Sequence, residues 1–137
     1  MEHLEPGLEQ RVWQRVKGGG RSGLEALAAE AEGDRRALLS LAGSRRPEIR
    51  SLAEDFGKTA AALRGAHWLI TGTEASPVPV RQQEGAFREI LLRCYDHALD
   101  RISCCDQWAG HPRVGPVFLC LLRQAREQCG RIAGLLG

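Results

Sequence analysis

Apolar residues recur at spacings of three and four along nearly the whole of this 137-residue chain. One such stripe consists of Leu24, Leu27, Ala31, Leu38 and Leu41. β-branched residues are sparse, and no run of alternating apolar and polar residues exceeds a few positions. This pattern is typical of amphipathic helices and not of strands. Because the length suits one domain with a sizeable core, the sequence predicts a single all-α domain over residues 1–137.

Glycine and proline divide the chain into helical segments. A glycine run at 18–20 ends a short amphipathic segment, and short breaks at 43–47 and 110–116 each separate two long segments. Residues 72–82 form the only long connection, and Pro77 and Pro79 favour an extended path there. The predicted organisation is an N-terminal segment (1–20), a first hairpin (21–72), a crossover (73–82) and a second hairpin (83–137).

The length of the long connection indicates how the two hairpins are joined. Eleven extended residues span about 35 Å, which is the length of a helix of about 23 residues. A connection of this length can run from one end of a helix bundle to the other. The sequence therefore predicts a four-helix bundle of two antiparallel hairpins joined by a long crossover, plus a short N-terminal helix.

The two hairpins also resemble each other in sequence. Shifting the chain by 67 residues places Ala31 on Ala98 and Gly43 on Gly110. Beyond the loop the shift becomes 69, which places Leu52 on Leu121. Amphipathic helices often align by chance, but the matching Ala-Gly ends and hairpin lengths favour an internal repeat.

Four phrases carry a resemblance to a known family: Leu-Leu-Ser-Leu-Ala-Gly (38–43), Ile-Arg-Ser-Leu-Ala-Glu-Asp-Phe (49–56), Trp-Leu-Ile-Thr-Gly (68–72) and Ile-Ala-Gly-Leu-Leu (132–136). Over residues 22–136 the chain resembles the ferritin-like superfamily, nearest to small rubrerythrin-like proteins. In that family, two helices each supply a glutamate and two others each supply Glu-x-x-His to hold two metal ions.

This resemblance implies that the di-metal site is degenerate. Glu30 is the one glutamate retained, and His97 stands where the third helix should supply its glutamate. The remaining ligand positions are vacated, and they hold Phe56, Thr59, Ala125 and Gln128. If the register of the last helix is shifted by one turn, Glu127 stands at the glutamate position of Glu-x-x-His, but Gly130 then stands at the histidine position. We therefore expect no di-iron centre, no cofactor and no catalytic residues.

The repeat suggests what replaces the metal ions. Glu30 corresponds to His97, and one turn later Asp34 corresponds to Arg101. We expect buried Glu30–His97 and Asp34–Arg101 pairs, with Phe56 filling volume. In the alternative, Asp34 and Arg101 lie on solvated faces.

A second alternative keeps a single Fe, Mn or Zn ion, held by Glu30 and His97 with Cys94 or Cys104. The five cysteines lack the paired spacing of a zinc site. Cys104 and Cys105 are adjacent, but neighbouring side chains on a helix point about 100° apart, which does not favour redox chemistry between the two thiols. We therefore expect both thiols to be buried and reduced. Reduced thiols predict a cytoplasmic protein.

Charge and hydropathy indicate which classes of binding partner are not expected. A net charge of +2 with interspersed signs predicts no nucleic-acid partner, and the apolar stretches are too short for a membrane span. Four apolar side chains are candidates for a homodimer or another protein interface: Val12, Trp13, Trp68 and Trp108. The resulting expectation is a non-enzymatic structural or interaction module. The alternative is a metal-binding or redox protein of rubrerythrin-like descent, rebuilt around Glu30 and His97.

Overall fold

The computed structural model describes residues 20–42, 46–80, 82–83 and 85–137. Over these ranges the chain forms four helices and no strands: α1 (Gly20–Ala42), α2 (Pro47–Thr71), α3 (Phe87–Trp108) and α4 (Gly115–Leu136). This confirms the predicted all-α class and its four main helices. The predicted N-terminal helix, with Val12 and Trp13, lies outside the described residues.

The ends of α2 follow from its sequence. Pro47 occupies the first turn, where a missing N–H costs nothing, and the carbonyl of the extended Arg46 accepts the N–H groups of Ile49 and Arg50. Gly72 ends the helix in a left-handed conformation, with φ of 74°, and its N–H donates to the carbonyl of Trp68. Glycine adopts this conformation without strain, which explains the sharp stop.

The second hairpin has its own start and turn. Helix α3 begins after Ala86, whose N–H donates to Oε1 of Glu89 at 2.8 Å. This bond is half of a capping box, since alanine has no side chain to return it. At the turn into α4, a Cβ on Gly115 would lie 2.5 Å from the carbonyl oxygen of Ala109. Glycine at this position therefore lets the end of α3 approach the start of α4.

Each helix packs against two others. Helices α1 and α2 form one hairpin, α3 and α4 form the other, and α1–α3 and α2–α4 contacts join the hairpins. One hydrophobic cluster unites Leu24 and Leu27 of α1 with Cys105 near the end of α3. A second unites Leu38, near the end of α1, with Leu91 near the start of α3. Helices α1 and α3 therefore run antiparallel.

A layer of small and polar side chains lies between the two hydrophobic clusters. Each helix contributes one buried alanine to it, and the four are Ala31, Ala60, Ala98 and Ala125. The buried polar members of the layer are Asp34, Thr59, Arg101 and Gln128. The small alanines leave room at mid-bundle that the long polar side chains fill.

The connection between α2 and α3 contacts α1 at two levels. The backbone N–H of Ser76 donates to the carboxylate of Glu25. Nε2 of Gln83 donates to Oδ1 of Asp34 at 2.6 Å. These two carboxylates are separated by about 14 Å along the helix axis, given the 1.5 Å rise per residue. Among the described residues, no helix combines the length and apolar character needed to cross a membrane.

Candidate functional site

Arg101 of α3 places a cation in the middle of the bundle. Its side chain is 1% exposed, and it is the largest fully buried side chain of the described residues. Nη2 donates to Oε1 of Gln128 at 2.9 Å, and the guanidinium carbon lies 5.3 Å from the ring centroid of Phe56. A hydrogen bond and a cation–π contact thus hold the buried charge.

Two of the positions that the resemblance marks as vacated metal ligands contact this cation. Gln128 accepts from Arg101 and passes the hydrogen bond on, since its Nε2 donates to Oγ1 of Thr59 at 3.0 Å. Phe56 supplies the ring, and Ala125 is buried at 1% exposure. Phe56 and Gln128 therefore contact the guanidinium directly, and Thr59 is bonded to it through Gln128.

Asp34 of α1 is the second buried charged residue of this layer. Its carboxylate is fully buried, and the ring Nδ1 of His97 lies 2.9 Å from Oδ1 and 3.0 Å from Oδ2. Gln83 donates to the same carboxylate from the α2–α3 connection. Burial raises the pKa of the Cys94 thiol, and the negative charge of Asp34 adds to this shift. One carboxylate thus ties α1 to α3 and to the connection.

These contacts correct the predicted pairing. His97 was expected to pair with Glu30, and Arg101 with Asp34, but the structure bonds His97 to Asp34 and Arg101 to Gln128. The prediction placed equivalent residues side by side, as if the helices were parallel. In antiparallel helices, one turn forward on α1 corresponds to one turn back on α3. His97 therefore lies level with Asp34 and not with Glu30.

The charges of this layer act on one another. Burial alone would lower the pKa of His97, but its bond to Asp34 and the charges of Asp34 and Glu30 raise the pKa above the usual value. Burial lowers the pKa of Arg101, and the same two acidic residues oppose that shift. The two acidic charges therefore favour the protonated forms of both His97 and Arg101. The layer is therefore coupled to the protonation of His97.

The candidate metal ligands do not form a set in this structure. Among the described residues, no three or more His, Cys, Asp or Glu side chains are grouped so as to hold a metal ion. Glu30 and His97 line one cleft, whereas Cys104 is buried in the first hydrophobic cluster. Cys94 is buried in the second hydrophobic cluster. A metal ion on Glu30 and His97 remains a prediction.

Sequence reasoning missed a cleft beside the charged layer. It has a volume of about 500 Å³ and lies between α1, α3 and the α2–α3 connection. Its polar lining includes Glu30, Gln83, Arg93 and His97. The signal in the sequence was the polar Gln82-Gln83 pair directly after the extended proline segment, which brings amide groups alongside α1.

A second buried histidine lies near the other end of α1. Nε2 of His67 is 3.8 Å from the carboxylate of Glu25, the residue that accepts from Ser76. His67 is 1% exposed, and in the described part of the chain neither ring nitrogen has a hydrogen-bond partner. The proximity of Glu25 and His67 depends on the packing of α1 on α2, so no local sequence signal predicts it.

The tryptophans predicted at an interface have different surroundings. Trp108 is half-buried and stacks on Phe118 with ring centroids 5.6 Å apart, so it belongs to the core. Trp68 is 55% exposed at the end of α2, next to Leu69 at 47%. Of the two, only Trp68 is mostly exposed to solvent.

Compared with protein-family models, with curated proteins and with solved structures, the chain has no match. The functional argument therefore depends on the geometry of the charged layer and of the cleft.

Proposed function

We propose that this protein is a non-enzymatic, ferritin-like four-helix bundle in which an internal ionic layer takes the place of a di-metal centre. One observation supports this above the others. The guanidinium of Arg101 is buried at mid-bundle against Phe56 and Gln128, two of the vacated ligand positions. A side-chain cation thus occupies the region where the family would hold metal cations.

The architecture agrees with this proposal. The α2–α3 connection contacts α1 through Glu25 near its start and through Asp34 farther along, as a crossover running along the bundle would. Equivalent positions of the internal repeat also share burial, as in Ala31 with Ala98 and Leu52 with Leu121. We therefore propose that residues 72–86 are the long crossover of a ferritin-like fold.

The chemistry of the layer argues against oxygen activation. Iron and manganese require several carboxylate or imidazole ligands in one preformed cage. Phe56 and Ala125 offer no ligand atom, and the Thr59 hydroxyl and Gln128 amide are already bonded to each other. Adding divalent metal next to the Arg101 cation would also be electrostatically unfavourable.

We propose that the bundle acts by binding another protein or a second copy of itself. The support is the apolar surface of Trp68 and Leu69, together with Leu119, which is 47% exposed at the start of the neighbouring α4. Light scattering on the purified chain measures this directly. Self-association predicts a species of twice the 15.0 kDa chain mass, weakened by Trp68→Ala.

Metal content and oxidase activity test the absence of a metal centre. The protein is expressed with iron and manganese in the medium, purified without chelator, and assayed for metal, Fe(II) oxidation and peroxide turnover. We expect metal far below one ion per chain and rates equal to the buffer. Stoichiometric metal with oxidase or peroxidase activity would overturn the proposal.

A second candidate function has one specific observation in its favour. The Nδ1 atom of His97 is held by Asp34, and metal-ligating histidines commonly bond a carboxylate in this way through the nitrogen that does not bind metal. A metal-binding or redox protein using Glu30 and His97 is therefore the alternative. It predicts bound Fe, Mn or Zn that is lost in His97→Ala and retained in the surface variant His111→Ala.

A further inference from the structure

Helix α3 carries an apolar surface outside the hydrophobic core. Leu92 and Leu99 lie two helical turns apart on one face, and they are 42% and 44% exposed. Tyr95 and Ile102 each follow one of these leucines by three residues and are half-buried. Among the described helices, α3 packs against α1 and α4, and neither of them covers the two leucines. This face of α3 is therefore open to a partner.

A charged residue continues this surface at each end. Arg88 lies four residues before Leu92, and Asp106 lies four residues after Ile102. Both charged side chains are exposed. The surface is therefore basic at the start of α3, apolar along its middle and acidic at the end of the helix.

The spacing of these residues is the same in both directions along the helix. Successive members are separated by four, three, four, three and four positions, and together they form what we call the α3 stripe: Arg88, Leu92, Tyr95, Leu99, Ile102 and Asp106. Alternating steps of four and three keep residues on one face, as the a and d positions of a coiled coil do. Because the spacing is symmetric, an antiparallel copy of the stripe matches it position by position.

An antiparallel copy of α3 also places unlike charges together. Arg88 of one chain lies opposite Asp106 of the second copy, and twofold symmetry repeats this pair at the other end. Between the two pairs, Leu92 lies opposite Ile102, and the remaining apolar residues lie opposite each other. A parallel copy would instead oppose two arginines at one end and two aspartates at the other. The charges therefore select the antiparallel arrangement.

We propose that this protein forms a symmetric homodimer in which two α3 helices pack antiparallel along the α3 stripe. The partner is a second copy because the stripe is complementary to itself in both spacing and charge. This inference rests on the proposed role in protein binding, but it assigns a different surface from that of Trp68. One helix face is a small interface, so the dimer is reversible and its fraction rises with protein concentration.

Complementary charge reversals test this pairing. Every protein in the experiment carries Trp68→Ala, so that association through the Trp68 surface does not contribute. Arg88→Asp opposes two aspartates at each end of the dimer, and Asp106→Arg opposes two arginines. An exposed ion pair contributes little by itself, but opposed like charges disfavour association. Each variant alone should therefore dimerise at least about tenfold more weakly than the parent.

An equimolar mixture of the two variants should recover association. In the heterodimer, each end again pairs an aspartate with an arginine, so it should form as tightly as the parent homodimer. Sedimentation equilibrium measures the dissociation constants, and native mass spectrometry identifies the heterodimer by its mass. A merely structural role of Arg88 or Asp106 within one chain would not produce this recovery.

The apolar middle of the stripe has its own test. Leu99→Glu places a charge there in both copies and should abolish dimerisation. Leu69→Glu is the matched control, because Leu69 is 47% exposed on α2 in the other hairpin. It should leave the dissociation constant unchanged. Circular dichroism verifies that each variant is folded.

Three results would overturn the inference. These are a Trp68→Ala protein that is monomeric at every concentration, single charge reversals that dimerise as tightly as this parent, or a mixture no tighter than the single variants. The Trp68 surface is tested separately by comparing the wild type with Trp68→Ala. A dimeric wild type beside a monomeric Trp68→Ala protein would support the Trp68 surface and contradict the α3 dimer.

Discussion

The ring Nδ1 of His97 lies 2.9 Å from Oδ1 of Asp34, so a buried carboxylate on α1 is bonded to a histidine on α3. Asp34 is fully buried, while the His97 side chain is 22% exposed on the cleft side. The pair therefore connects the interior of the bundle to a site that solvent and ligands can reach. The charge of Arg101 also acts on this pair, because it lowers the pKa of His97 and so opposes the effect of Asp34.

Asp34→Ala should destabilise the protein by about 3–5 kcal/mol, because it breaks a buried charge pair and leaves partner charges without compensation. The substitution also removes the acceptor for Gln83, which holds the connection against α1. Urea unfolding followed by circular dichroism measures the change.

The matched control for Asp34→Ala is Asp106→Ala, since Asp106 is exposed on α3. It should change the free energy of unfolding by no more than about 0.5 kcal/mol. A melting temperature of Asp34→Ala equal to that of the wild type would show that Asp34 contributes no such pair.

Stability should fall as the pH rises from about 6.5 through the folded-state pKa of His97. The pKa of His97 in the folded state is above its usual value of 6.5, because the bond to Asp34 and two acidic charges outweigh the effect of burial. Its stabilising contribution is therefore complete below pH 6.5 and is lost as the pH rises through the folded-state pKa. One proton is linked, so the slope is at most about 1.4 kcal/mol per pH unit.

Unfolding free energies of wild type and His97→Gln across this range check the pH prediction. The variant should lack the decrease, and His111→Gln, at an exposed histidine, should retain it. An identical pH profile for wild type and His97→Gln would assign the effect to another group.

Phe56 and Arg101 should show coupled effects on stability. Phe56→Leu removes both core volume and the ring that faces the guanidinium, whereas in an Arg101→Met background only the volume is lost. We expect Phe56→Leu to lower the free energy of unfolding by about 1–2 kcal/mol less in the Arg101→Met background than in the wild type. This difference is the contribution of a desolvated cation–π contact. A double-mutant cycle measures this coupling, and additive effects would mean that the ring does not stabilise the cation.

The thiols should differ strongly in reactivity. Cys120 is exposed and Cys129 half-buried, whereas Cys94, Cys104 and Cys105 are buried. Burial raises the pKa of Cys94 and Cys105, so their reactive thiolate forms are scarce. With a thiol reagent, one fast phase should be lost in Cys120→Ser, and the buried thiols should react only as the protein unfolds. Fast native-state modification of Cys94 would contradict this burial.

Helix periodicity and glycine–proline breaks were sufficient to predict the four helices. The structure places α2 and α4 at Pro47–Thr71 and Gly115–Leu136, close to the bounds that the sequence indicates. Local signals of this kind act within a few residues: Pro47 fixes a first turn and Gly72 fixes an end. They do not depend on how the helices pack.

The partners within the charged layer could not be predicted in the same way. Which side chain lies level with His97 depends on the relative direction and axial register of α1 and α3, and no local signal encodes that register. A shift of one turn exchanges Glu30 for Asp34. The role of Gln83 depends likewise on where the connection contacts α1, which the sequence of the connection does not specify.

Urea unfolding of Arg101→Met tests the central claim most directly, that a side-chain cation takes the place of metal at mid-bundle. We predict a loss of about 3–5 kcal/mol, because the buried Asp34 carboxylate loses a positive charge that acts on it and Gln128 loses its hydrogen-bond donor. Arg101→Lys, which keeps the charge, should lose less, and Arg126→Met on an exposed face of α4 should stay within about 0.5 kcal/mol of the wild type. An Arg101→Met protein as stable as the wild type would contradict the account.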